Sequence, residues 1–212
     1  MTPAEFVAAH TAIGTAPLVP EIQLHLATEI TPIWQATEAW LAREGVDPPF
    51  WAFAWPGAQA LARRVLDHPA LVRGRVVLDF AAGGGLAAIA CALAGATVET
   101  AELDALATTA ILANAALNGV ALTTQTGDVV GSPGRWDLIL CGDVCYEAPM
   151  TQHILPWLRT LARTAEVWIA DPGRAYRPAD NMVPLATYEV PTTLELEDRT
   201  SRTTTISRLL PG

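Results

Sequence analysis

Lysine is missing from this chain. All thirteen basic residues are arginine, against 22 acidic ones, for a formal net charge of −9. An acidic chain without clustered cations is a poor partner for a phosphate backbone, whose binding rests on charge neutralisation, so no nucleic-acid partner is expected. Cysteine is scarce: Cys91, Cys141 and Cys145 are odd in number and irregular in spacing, which excludes a disulfide framework. Cys141, Cys145 and His153 lack a fourth ligand and a zinc-type spacing, so no metal is expected, and the thiols read as core. No run of 18 apolar residues is long enough to span a bilayer, so no membrane association is expected. The first ten residues lack the basic segment and apolar run of a signal peptide. With an Ala- and Arg-rich composition, this points to a cytoplasmic, bacterial protein.

What is present suits a folded core. Hydrophobic residues make up 51% and charged ones 17%, enough for independent folding, and 212 residues fit one domain. Residues 1–74 read as an N-terminal helical cap and lead-in, and 75–212 as a Rossmann-like core. Helical spacing covers 3–13, and a short strand is expected within 17–27. Thr31 reads as an N-cap, Pro32 as a first-turn residue and Gly45 as a stop, framing a helix that carries Ile33, Trp34, Ala36, Trp40 and Leu41. Residues 50–56 form an aromatic loop and 59–66 a helix. Strands then alternate with helices: strands at 75–79, 97–101, 122–126, 137–141 and 167–170, helices at 86–93, 106–117 and 153–161. Such alternation predicts an α/β fold with a mostly parallel sheet covered on both faces. The Thr-rich, β-branched stretches 186–190 and 203–209 would complete seven strands as a C-terminal antiparallel hairpin.

The chemistry gathers at strand ends. Val76-Val77-Leu78-Asp79 runs into Phe80-Ala81-Ala82-Gly83-Gly84-Gly85, a strand, an acid and a glycine-rich turn into a helix. Gly83-x-Gly85-x-x-Ala88, with Glu102 further on, also fits a dinucleotide fingerprint, so an NAD(P)-binding oxidoreductase is a rival reading. Charge argues against it. Asp79 would stand beside a doubly anionic pyrophosphate, whereas a sulfonium and an ammonium would welcome it. Glu102 can accept from two ribose hydroxyls, and Asp128 from an adenine amino group. Acids at three successive strand ends suit a cationic, phosphate-free nucleoside: S-adenosyl-L-methionine. Asp104 reads as a helix cap. A non-enzymatic module that keeps only the fold is a third reading; retention of every acid argues against it.

These residues resemble the class I, seven-strand methyltransferases, whose turn reads acid-x-Gly-x-Gly-x-Gly; here Ala81 replaces the first glycine. Asp143-Val144-Cys145-Tyr146 resembles the Asp-x-x-Tyr motif of protein-lysine methyltransferases. Together with Phe50-Trp51-Ala52-Phe53-Ala54-Trp55-Pro56-Gly57 and Asp171-Pro172-Gly173-Arg174, it resembles the lysine methyltransferases of the electron transfer flavoprotein β-subunit, over nearly the whole chain. The resemblance implies a protein-lysine N-methyltransferase acting on that subunit, with a ribosomal protein or a small amine as alternative substrate. It implies that Asp79, Ala81, Gly83, Gly85, Glu102, Asp128 and Asp143 surround the cofactor, and that Trp55 packs over it with a free indole N–H. Asp143 would orient the lysine amine and Tyr146 line its channel. Trp51, Asp171 and Arg174 would meet the substrate. A lysine methyltransferase without lysine cannot modify its own side chains.

Overall fold

A computed structural model describes residues 1–28, 48–193 and 197–212. The helix expected between Thr31 and Gly45 lies outside the described residues.

The chain opens with helix α1 (Pro3–His10), whose capping box joins Thr2 and Glu5. It stops short of the expected residue 13. Thr11 Oγ1 donates back to the Val7 carbonyl at 2.6 Å, and the chain turns extended. Strands β1 (Ala12–Ala16) and β2 (Val19–Leu26) follow as an antiparallel hairpin. The lead-in is therefore partly sheet, and the single expected strand has a partner. A 3₁₀ turn (Phe50–Ala52) and helix α2 (Pro56–Asp67) complete it; α2 starts at proline, which suits a first helical position.

The main sheet comprises β3 (Val76–Phe80), β4 (Thr97–Glu102), β5 (Thr123–Thr126), β6 (Leu138–Gly142), β7 (Glu166–Asp171), β8 (Met182–Pro191) and β9 (Ser201–Leu209). Its order is β5-β4-β3-β6-β7-β9-β8. The first five strands are mutually parallel, and β9 runs antiparallel between β7 and β8. Helices α3 (Leu86–Leu93), α4 (Ala105–Leu117) and α5 (Ala148–Leu161) connect the parallel strands.

Apart from Asp79, the central strands β3 and β6 are apolar because both faces are covered. Val77, Leu138 and Leu140 pack with α2, α3 and the β1–β2 hairpin. Their neighbours Leu78, Ile139 and Cys141 point the other way, against α5. All three cysteines are buried and free. Consecutive strands leave β3 in opposite directions, to β4 and to β6, and such a switch point opens a crevice at the carboxyl ends of the strands.

Candidate functional site

That crevice is a cavity of about 770 Å³. Its wall takes Ala81 and Gly83 from the turn after β3, Glu102 from the end of β4, Asp128 after β5, and Asp143 and Tyr146 after β6. Trp51, Trp55 and Arg174 close it from the aromatic segment and the loop after β7.

The glycine-rich turn is left-handed at three points, with φ of +53° at Ala81, +56° at Gly83 and +79° at Gly85. Gly85 is the N-cap of α3 and stands behind the cavity wall, against Ile111. Asp79 is also behind the wall. Its Oδ2 accepts the Ala88 N–H at 2.9 Å, which pins the first turns of α3 to β3. Burial, with repulsion from Glu102, pushes its carboxyl up to about 7. Glu102 accepts the Gly83 and Leu103 N–H groups, and burial pushes it to about 7 as well. Neither carboxylate has a cationic partner among the described residues. Asp104 caps α4, accepting from Leu106 N–H at 2.7 Å. Asp128 accepts Val130 N–H at 2.9 Å, and its other oxygen meets His153 Nε2 at 2.7 Å.

Asp143 is 8% exposed and sits at φ +57°, a costly conformation for a non-glycine residue. Two partners hold it there: Gly57 N–H, in the first turn of α2, donates to Oδ2, and Arg174 Nη2 donates to Oδ1 at 2.9 Å. Burial raises its carboxyl to about 6, against the opposing pull of Arg174. Gly57 has to be glycine: a Cβ there would lie 2.5 Å from Asp143 Oδ2 and 2.7 Å from the Ala170 carbonyl.

Around Asp143 the wall is aromatic. Phe50 lies 6.1 Å, ring to ring, from both Trp55 and Tyr146. Phe50 and Tyr146 are 52% and 47% exposed and form the rim. The Trp55 indole N–H is not free, as the sequence suggested; it donates to the Phe50 carbonyl at 2.7 Å and folds the aromatic segment on itself. Trp51 is 2% exposed, buried among α4 residues, and its N–H has no partner among the described residues. Acids at strand ends and an apolar mouth suit a cationic ligand better than a pyrophosphate.

Relatives fix the assignment. The electron transfer flavoprotein beta subunit lysine methyltransferase of Xenopus laevis is 38% identical over 198 residues, 89% of this chain and 79% of its own length. The chain belongs to the electron transfer flavoprotein β-subunit lysine methyltransferase family. It is a methyltransferase, which sets aside the oxidoreductase and the non-enzymatic readings. The mouse member is 39% identical over 163 residues, 74% of this chain and 62% of its own length. Among solved structures, a magnesium protoporphyrin IX methyltransferase from Synechocystis with bound S-adenosylmethionine shares the fold, with a TM-score of 0.54 at 17% identity, covering 86% of this chain and 100% of that one. No protein-family model matches the chain.

Asp171 does not line the cavity of this family member. Its Oδ1 accepts Gly173 and Arg174 N–H, both at 2.7 Å, and so shapes the turn that delivers Arg174. Four contributors were given no role from the sequence: Gly57 and Phe50, though both stand in the aromatic motif, His153 as the partner of Asp128, and Glu197, which accepts from Arg174. The glycine after Pro56 was the one available signal for Gly57. The others meet their partners only through the fold.

Proposed function

We propose that this chain is an S-adenosylmethionine-dependent protein-lysine N-methyltransferase whose substrate is the electron transfer flavoprotein β-subunit. The observation that carries this reading is the pairing of that family membership with Asp143 and Tyr146 on one cavity wall. The donor set fits the cofactor. Glu102 and the buried Asp79 gather negative charge without a cation, where a sulfonium and an ammonium are favourable. Glu102 is the residue for the ribose hydroxyls, Asp128 for the adenine amino group, and the Ala81–Gly83 turn for the methionine part. When bound, S-adenosylmethionine supplies an electrophilic methyl group.

The chain's own task is to position an amine and make it neutral. A free lysine holds its proton to a pKa of about 10.4. Phe50, Trp55 and Tyr146 give the amine an apolar mouth, which disfavours the ammonium. Asp143, fixed by Gly57 and Arg174, orients the nitrogen lone pair, and the proton leaves to water through the open rim. Positioning of this kind is the main work in an in-line displacement. A net charge of −9 favours encounter with a surface rich in Lys and Arg over nucleic acid. Among the described residues, no helix is long and apolar enough to cross a membrane. We place the enzyme in a bacterial cytoplasm, in keeping with its Ala- and Arg-rich, lysine-free composition.

The test is the intact mass of purified flavoprotein β-subunit after incubation with enzyme and S-adenosylmethionine. Added methyl masses are expected, and are expected to vanish with Asp143→Ala, which keeps cofactor binding. Cofactor binding without added mass would redirect the search to ribosomal proteins and small amines.

A further inference from the structure

Arg174 does not serve Asp143 alone. The nitrogen that reaches Asp143 Oδ1 at 2.9 Å, Nη2, also donates to Glu197 Oε1, and Nη1 donates to Glu197 Oε2 at 3.1 Å. Glu197 lies between β8 and β9 and is only 3% exposed. Arg202, on β9, grips it from the far side: Nε donates to Oε2 at 3.0 Å and Nη2 to the Glu197 carbonyl at 2.9 Å. Four charges of alternating sign thus run from the cavity wall to the hairpin: Asp143, Arg174, Glu197, Arg202. The fork of Arg174 is spent bidentately on Glu197, the stronger geometry, and Asp143 receives one shared nitrogen.

We propose that Glu197 is a positioning residue for methyl transfer: by claiming the Arg174 guanidinium, it holds that group in place while leaving Asp143 with unspent negative charge for the substrate amine. An arginine paired with Asp143 alone would neutralise it and present a cation to an incoming ammonium. With Glu197 in place, Asp143, Arg174 and Glu197 together carry one negative charge. Arg202 offsets that charge from outside the cavity and fixes Glu197 so that it cannot swing away. The other groups near Asp143 do not compete for this role. Burial pushes the Cys145 thiol up to about 12, so it is neutral. Asp171 is committed to its turn, Tyr146 is a neutral phenol, and α2 contributes the Gly57 N–H.

The inference rests on the proposed methyl transfer, and its test separates the two. The carboxyl of Asp143 is titrated by ¹³C NMR in the ligand-free protein, for wild type, Glu197→Gln and Arg202→Gln. Glu197→Gln removes a negative neighbour, so the Asp143 midpoint is expected to fall, by about one pH unit. Arg202→Gln removes a positive one and leaves Glu197 uncompensated, so the midpoint is expected to rise. Opposite displacements are not produced by general loosening. In parallel, kcat/KM for the flavoprotein at saturating S-adenosylmethionine is expected to drop about tenfold in Glu197→Gln, the worth of one charge-assisted contact, with cofactor affinity unchanged. Midpoints that stay put, or move in the same direction in both variants, overturn the proposal whether or not the flavoprotein is the substrate. Where Glu197→Gln does not fold, the sign of the Arg202→Gln displacement decides alone. A wild-type enzyme that adds no methyl mass refutes the substrate reading and leaves the titration standing.

Discussion

Ala81 occupies a backbone position that the methyltransferases it resembles give to glycine. Its φ of +53° costs an L-residue roughly 1–2 kcal/mol. Glycine removes that cost but returns up to about 1 kcal/mol through a freer unfolded chain. Ala81→Gly is therefore expected to leave stability unchanged or raise it by up to about 1 kcal/mol, read from urea midpoints. A clear loss would mean that the methyl group's packing against the neighbouring buried cluster outweighs the strain. At this scale the acids were legible because each stands at or just past the end of an expected strand. Their partners were not. Asp143 meets Arg174 at a separation of 31 residues and Gly57 at 86, and pairings of that range leave no local trace. The Trp55 N–H shows the same limit: a sequence gives its donor and not the carbonyl it finds.

Helix α2 fixes Asp143 as firmly as any strand does. Its first turn abuts the ends of β6 and β7 so closely that Gly57 has no room for a methyl group. Gly57→Ala is expected to lift the helix off the sheet, at a cost of about 1–3 kcal/mol, the range for overpacking. Turnover is expected to fall more than cofactor affinity, because the displaced group is the donor to Asp143; thermal melts and binding titrations on one preparation check both. Strands β3, β6 and β7 were legible as short apolar runs, since burial on both faces removes alternation. The β1–β2 hairpin was half legible: a strand was expected within 17–27, but the helical spacing of 3–13 absorbed the start of its partner β1. Helix α5 begins five residues before its expected start. Pro149 suits its first turn, and Pro156, already inside the expected span, is carried within the helix.

Across the whole molecule, Asp79 and Glu102 at about 7 and Asp143 at about 6 lie above the ordinary carboxylate range. Between about pH 4 and pH 7 these three groups bind more protons in the folded protein than in the unfolded chain, and their contribution to stability falls as pH rises through that window. The ligand-free protein is expected to melt at a higher temperature at pH 5 than at pH 7.5, as far as these groups decide it. The rise in melting temperature given by saturating S-adenosylmethionine is expected to grow over the same interval, because the carboxylates that a cation relieves are then ionised. An increment that is flat with pH would mean they do not face the donor. The sheet order adds a consequence in time. Strand β8 touches the sheet only through β9, and Arg202, which clamps Glu197, lies on β9 itself. Strands β3 to β5, which supply Ala81, Gly83 and Glu102 to the crevice, are complete by residue 126. Because a domain folds as a unit, Asp143 is secured only once β9 has docked, although the chain as far as β5 is synthesised first.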